Sequence, residues 1–96
     1  MSGIPQIDVT QLPAEVQTTI NLISIGSPYP HSKDGIVFKN LEGLLPPQPR
    51  GYYKEYTVPT PGAIDRGSRR LITGQNGEIY YTADHYITFQ EVIQSS

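Results

Sequence analysis

Tyr52-Tyr-Lys-Glu-Tyr-Thr-Val58, then Arg69-Arg-Leu-Ile-Thr73, then Glu78-Ile-Tyr-Tyr-Thr82 read as three extended runs. Turn chemistry separates them, with Pro59-Thr-Pro-Gly62 after the first and Gly74-Gln-Asn-Gly77 after the second. A fourth run over 87–92 closes the chain. Short connections between successive strands favour antiparallel pairing. Upstream, Leu12-Pro-Ala-Glu-Val-Gln-Thr-Thr-Ile-Asn-Leu-Ile-Ser-Ile-Gly26 is the one convincing helix. Pro13 sits where a first turn tolerates it, and Gly26 sits where a left-handed C-terminal cap belongs. Leu12, Val16, Ile20 and Ile23 fall on one helical face, which is assigned to the core. The expected architecture is therefore α+β, an N-terminal helix packed on one face of a twisted antiparallel β-sheet.

Between helix and sheet, residues 27–51 are rich in Pro and Gly and read as ordered loops with short extended pieces such as Ile36-Val37-Phe38. Long loops are uncommon in compact domains unless they bind something, so this stretch is the candidate recognition segment. The 96 residues, 36% of them hydrophobic, suit a single domain over 1–96 with one modest core and residues 1–5 loosely ordered. No apolar run approaches the roughly 20 residues that span a bilayer, so no membrane partner is expected. Without cysteine there is no disulfide, no thiol nucleophile and no thiolate metal site. His31 and His85 show no ligand spacing with the scattered acids, so neither metal nor cofactor is expected, and His31 reads as exposed and incidental. The net charge of −2 argues mildly against a nucleic-acid partner, but Arg66, Arg69 and Arg70 form a local basic focus within five positions.

Period-two alternation puts Tyr53, Glu55 and Thr57 on one face of the first run, and Tyr52, Lys54, Tyr56 and Val58 on the other. Arg70 and Ile72 likewise share a face that Arg69 and Leu71 do not. Taken singly, Glu55 is an ordinary solvated strand residue, His85 a structural or exposed histidine, and the arginine cluster a salt-bridged surface. Arg69, with parity opposite to Arg70, reads as a structural or surface ion pair.

The pattern as a whole resembles the microbial ribonuclease family that contains barnase, and in particular its small secreted guanyl-specific bacterial members. The resemblance is carried by Leu12-Pro13, Asn21-Leu-Ile23, Asp34-Gly-Ile-Val-Phe38, Asn40, Glu42, Leu45-Pro46 and Gly51-Tyr-Tyr-Lys-Glu-Tyr-Thr-Val58. It continues through Thr60-Pro-Gly62, Arg66-Gly-Ser-Arg-Arg70, Ile72-Thr-Gly74 and Tyr80-Tyr-Thr-Ala-Asp-His-Tyr86, in order and with similar spacing.

That resemblance implies a guanyl-preferring endoribonuclease that cuts single-stranded RNA without a metal, through a 2′,3′-cyclic phosphate that is then hydrolysed to a 3′-phosphate. Glu55 would be the general base and His85 the general acid, giving a bell-shaped pH dependence. Arg66 and Arg70 would stabilise the phosphoryl charge of the transition state, with Tyr86 as a further phosphate donor. Guanine would be read by the loop Phe38, Lys39, Asn40, Leu41 and Glu42: backbone N–H groups meet O6 and N7, and Glu42 accepts from N1 and N2. Phe38 is either a stacking platform for the base or a core aromatic.

Two departures from the family pattern stand out. Leu41 replaces the usual arginine over the second face of the base, which weakens binding while leaving the guanine preference. The terminal disulfide of the small secreted relatives has no counterpart, which lowers the stability margin by a few kcal/mol. The resemblance further implies a secreted protein with an acidic barstar-like inhibitor as a partner, and monomer is the default expectation. A toxin domain of a delivered protein and a silent RNA-binding module are the competing readings.

Overall fold

The computed structural model describes residues 3–26 and 28–94. In chain order the elements are β1 (Gln6–Asp8), a 3-10 turn (Val9–Gln11), α1 (Ala14–Ile25), β2 (Ile36–Phe38), β3 (Tyr53–Thr57), β4 (Arg70–Gly74), β5 (Ile79–Thr82) and β6 (Gln90–Ile93). All six strands form one sheet in the order β1-β6-β5-β4-β3-β2.

The α+β architecture is as expected, one helix on a sheet; the sheet is mixed, because one parallel pair joins the expected antiparallel set. β2 through β6 pair antiparallel, but β1 lies parallel to β6 with Gln6 opposite Glu91 and Asp8 opposite Ile93. Parallel pairing needs a long crossover. Here almost the whole chain is that crossover, so nothing local marked β1 as a strand. Of the five residues expected to be loosely ordered, Met1 and Ser2 lie outside the described residues, while the Pro5 carbonyl accepts a hydrogen bond from Glu91 N at 2.8 Å.

α1 ends at the expected glycine, though with ψ −166° rather than in the left-handed cap conformation the sequence suggests. Gly26 takes φ +98° and its N–H bonds the Leu22 carbonyl at 3.0 Å. Val16 is fully buried, and Leu12, Ile20 and Ile23 pack beside it against Tyr56, Val58, Leu71, Tyr81 and Val92. Each fully buried aliphatic side chain there contributes roughly 1.5–3 kcal/mol.

The apolar residues form a second cluster as well, where composition suggested a single core. Leu45, Tyr52, Tyr53, Ile72, Tyr80 and Phe89 are buried together, with Ile4, Phe38 and Tyr86 packed against them. Alternation explains the division: Leu71 and Tyr81 point to the helix, whereas Ile72, between Glu55 and Tyr80 in register, points the other way. Tyr52 departs from its expected parity because β3 begins one residue later. After Gly51, at φ +89°, its ring turns into the second cluster and its hydroxyl donates to Glu78 Oε2 at 2.5 Å. The last strand also begins later than expected, because residues 83–89 are tied into a loop by Asp84.

Candidate active site

The sheet face away from α1 carries the polar set. Register places Glu55 beside Ile72, and Thr57 beside Arg70, which in turn faces Thr82. The Glu55 side chain retains 15% of its exposure and accepts a hydrogen bond at Oε1 from the Tyr86 hydroxyl at 2.9 Å. Arg66 Nη2 lies 3.9 Å from the same oxygen. Arg66 itself sits in an irregular loop, and its Nε and Nη2 both donate to Thr57 Oγ1, at 2.9 and 2.6 Å. Nη2 is also 3.8 Å from Asp34 Oδ1, whose side chain is buried and accepts the Thr57 N–H at 2.8 Å.

Arg70 is buried in β4, at 3% exposure. Its Nη1 donates to the carbonyls of Gly67 (3.1 Å) and Arg69 (2.8 Å), while the buried Nε has no partner among the described residues. Arg69 points to the opposite face, where Nη1 pairs with Glu15 Oε1 of α1 at 3.7 Å, the ion pair its parity implied.

His85 and Tyr86 lie on the loop between β5 and β6, both with left-handed backbone, φ +56° and +77°. Such conformations cost of order 1–3 kcal/mol each for residues with bulky side chains and persist only where neighbours over-determine them. The neighbours do so here. Thr82 Oγ1 donates to Asp84 Oδ1 at 2.8 Å and accepts the Tyr86 N–H at 3.0 Å. Asp84 accepts from both the Thr88 N–H and the Thr88 hydroxyl, at 2.9 and 2.6 Å, and His85 N–H reaches the Ser68 carbonyl at 2.9 Å. The hydrogen bonds from the Thr88 hydroxyl and backbone hold the Asp84 carboxyl down at about 2.

Tyr86 is the hub of the arrangement. Its ring contacts exposed His85 (centroids 4.7 Å apart) and stacks on Phe38 (5.1 Å, 26° between planes). Burial, then the hydrogen bond and charge of Glu55, push its phenol up to about 12 against the opposing pull of Arg70. The hydroxyl therefore stays a donor at any physiological pH.

Beside this group opens a cleft of about 460 Å³ lined by Phe38, Lys39, Asn40, Leu41, Glu42 and Leu44 of the β2–β3 loop together with Glu55 and Tyr86. The loop is shaped by Asn40, at φ +56°, whose side chain clamps Leu45 at both ends: Nδ2 to the carbonyl at 3.0 Å and Oδ1 from the N–H at 3.1 Å. The Asn40 side chain thus holds the loop closed. Glu42 is exposed, and Leu41 is 87% exposed at the mouth. Phe38 is half-buried between the cleft and the second core, so it serves both surfaces.

The catalytic and guanine-binding candidates named from the sequence fall in this one region, whereas Arg69 and His31 lie outside it. Glu55 touches both Arg66 and Tyr86, Arg70 and His85 flank Tyr86, and residues 38–42 form the cleft wall. His31 is half-buried rather than exposed, with its carbonyl accepting the Asp34 N–H at 3.1 Å. Asp34 and Thr57 were not singled out. The available signal was strand parity, which put Thr57 on the face of Glu55. Among the described residues no group of three or more His, Asp or Glu could hold a metal ion.

A carboxylate, two guanidiniums, an imidazole and a phenol gathered beside an apolar cleft equip an enzyme for phosphate esters. A family model described as ribonuclease matches residues 2–93. Guanyl-specific ribonuclease Sa3 of Kitasatospora aureofaciens is 50% identical over 93 residues, which cover 96% of this chain and 66% of that protein, just under two thirds of its length. Guanyl-specific ribonuclease Sa of the same organism is 53% identical over 88 residues, covering 91% of this chain and 92% of that one. A crystal structure of ribonuclease Sa2 with guanosine-2′-cyclophosphate superposes with a TM-score of 0.92 at 47% identity, covering 98% of this chain and 100% of that one. The chain belongs to the ribonuclease family.

Proposed function

We propose that this single domain is a guanyl-preferring endoribonuclease acting on single-stranded RNA, with Glu55 as base and His85 as acid. The observation that carries the reading is the Glu55 carboxylate gripped by Tyr86 and beside Arg66, lining the same cleft as the 38–42 loop. The guanyl-specific names of the relatives and the guanosine cyclic phosphate bound to ribonuclease Sa2 support the base preference.

In the first step the 2′-hydroxyl of guanosine gives its proton to Glu55 as O2′ bonds to phosphorus. The P–O5′ bond breaks, and O5′ takes the proton of His85. Water then opens the 2′,3′-cyclic phosphate. Neutral His85 takes the water proton as the P–O bond forms, and protonated Glu55 returns its proton to O2′, leaving a 3′-phosphate. Arg66, Arg70 and the Tyr86 hydroxyl face the phosphoryl oxygens as their charge grows, in a partly buried setting where such donors act most strongly. Buried Arg70 Nε, without a partner among the described residues, is a donor such a phosphate satisfies.

Guanine enters the cleft against Phe38 and meets backbone N–H groups of the loop and the Glu42 carboxylate. Adenine offers no matching donor pair and would leave that carboxylate desolvated and unpaired. The same reading carries secretion, a monomeric state and an acidic protein inhibitor drawn to the arginines.

The test is cleavage of an RNA oligonucleotide with one guanosine, in excess chelator, by wild type, Glu55→Ala and His85→Ala. Chelator-resistant cutting after guanosine that both variants lose, by roughly 100-fold or more, supports the reading. Folded wild type that does not cut overturns it in favour of a binding module.

A further inference from the structure

We propose that Thr57 is a positioning residue for Arg66, its buried hydroxyl fixing the guanidinium that the nuclease reading directs at the scissile phosphate. Arg66 needs such an anchor. Among residues 58–69, all described, none lies in a helix or strand, so the backbone that carries Arg66 does not itself fix the side chain. Thr57 ends β3, is 4% exposed, and is held by its pairing to Arg70 and by its N–H bond to buried Asp34.

One hydroxyl oxygen with two lone pairs accepts both Nε and Nη2, which sets the plane of the guanidinium as well as its place. Asp34 Oδ1 at 3.8 Å and Glu55 Oε1 at 3.9 Å flank the same Nη2. Among the described residues Nη1 makes no hydrogen bond, so the third corner of the fork remains for a phosphate oxygen. Thr57 never touches substrate in this account. It converts a flexible cation into a preorganised one, which acts on the transition state more than on ground-state binding.

The inference rests on the nuclease reading, and the experiment separates the two. Single-turnover cleavage of guanylyl-3′,5′-uridine is measured for wild type, Thr57→Val, Thr57→Ser, Arg66→Ala and the Thr57→Val/Arg66→Ala double variant. Thr57→Val should slow the chemical step roughly 10- to 100-fold with KM little changed, and Thr57→Ser should restore most of it. In the Arg66→Ala background the same valine should change the rate less than about twofold, because its target is gone.

Equal losses in both backgrounds mean a merely structural threonine and overturn the inference alone. A wild-type chain that does not cut overturns the nuclease reading and the inference with it. If the valine variants do not fold, exchange of the Arg66 Nε–H in wild type decides. Protection well above that of exposed Arg50 supports the anchor, and equal exchange overturns it.

Discussion

The Tyr86 hydroxyl donates to Glu55 Oε1 at 2.9 Å, which ties the phenol expected to serve phosphate to the candidate base. Under the proposed mechanism the hydroxyl passes from the carboxylate to a phosphate oxygen. Tyr86→Phe removes a donor in either state, and kcat/KM for a guanylyl dinucleotide should fall roughly 10- to 100-fold. The ring contacts with Phe38 and His85 are kept, so thermal stability should change little. A loss below twofold would mean that the hydroxyl serves neither partner.

Leu41 stands at the cleft mouth with 87% of its surface exposed. An aliphatic side chain there can cover a base but adds no cation–π attraction, which is worth about 0.5–1 kcal/mol at exposed sites. Leu41→Arg should therefore tighten binding of a guanosine monophosphate about two- to fivefold by calorimetry. Glu42→Gln should instead narrow the difference between guanosine and adenosine substrates, since the amide lacks the charge that the proposed reading pairs with two guanine donors.

Asn40 combines a left-handed backbone with two side-chain bonds to Leu45. Asn40→Ala loses both and places an alanine at φ +56°, so unfolding in urea should show a loss of roughly 2–3 kcal/mol. KM should rise as well, because the loop that lines the cleft is no longer clamped. Unchanged KM at reduced stability would separate the clamp from recognition.

The Thr88 hydrogen bonds depress Asp84 from 3.8 to about 2 in the folded chain. A depressed carboxyl stabilises the fold above its unfolded value, and that contribution disappears as pH falls through about 2. Asp84→Asn should thus lower the thermal midpoint clearly at pH 6, by an amount equivalent to roughly 1–2 kcal/mol. The gap to wild type should close between pH 4 and about 2, as followed by circular dichroism.

Tyrosine ionisation provides a further check. Burial first and the hydrogen bond to Glu55 second hold Tyr86 at about 12, and burial holds Tyr53 at about 12. Groups raised in the folded state stabilise it fully below the unfolded value of 10 and stop doing so as pH passes their folded value. Absorbance at pH 10 should therefore rise less for folded protein than for protein in denaturant, and the remainder should appear with unfolding. Equal rises would mean these rings are solvated.

The helix, the β3–β5 meander, the short strand at 36–38 and the shared face of Glu55 and Thr57 were legible in the sequence. Each depends on residues a few positions apart: a 3.6 or 2.0 period, a glycine past a helix end, a proline between strands. Resemblance of ordered motifs supplied the candidate acid, base, arginines and guanine loop, which short-range patterns could not.

Tertiary structure alone decided the rest. β1 exists only because β6 lies beside it, 85 positions on. The second core is strand alternation carried onto the sheet face away from α1, and Tyr52 joins it because β3 begins one residue later than expected. The left-handed His85–Tyr86 step is paid for by Thr82, Asp84 and Ser68, contacts that no local propensity encodes. The Tyr86–Glu55 bond and the Thr57 anchor under Arg66 join side chains 31 and 9 positions apart across separate elements. Local sequence sets the period and ends of an element, but the partner of a polar group is set by which elements the folded sheet brings side by side.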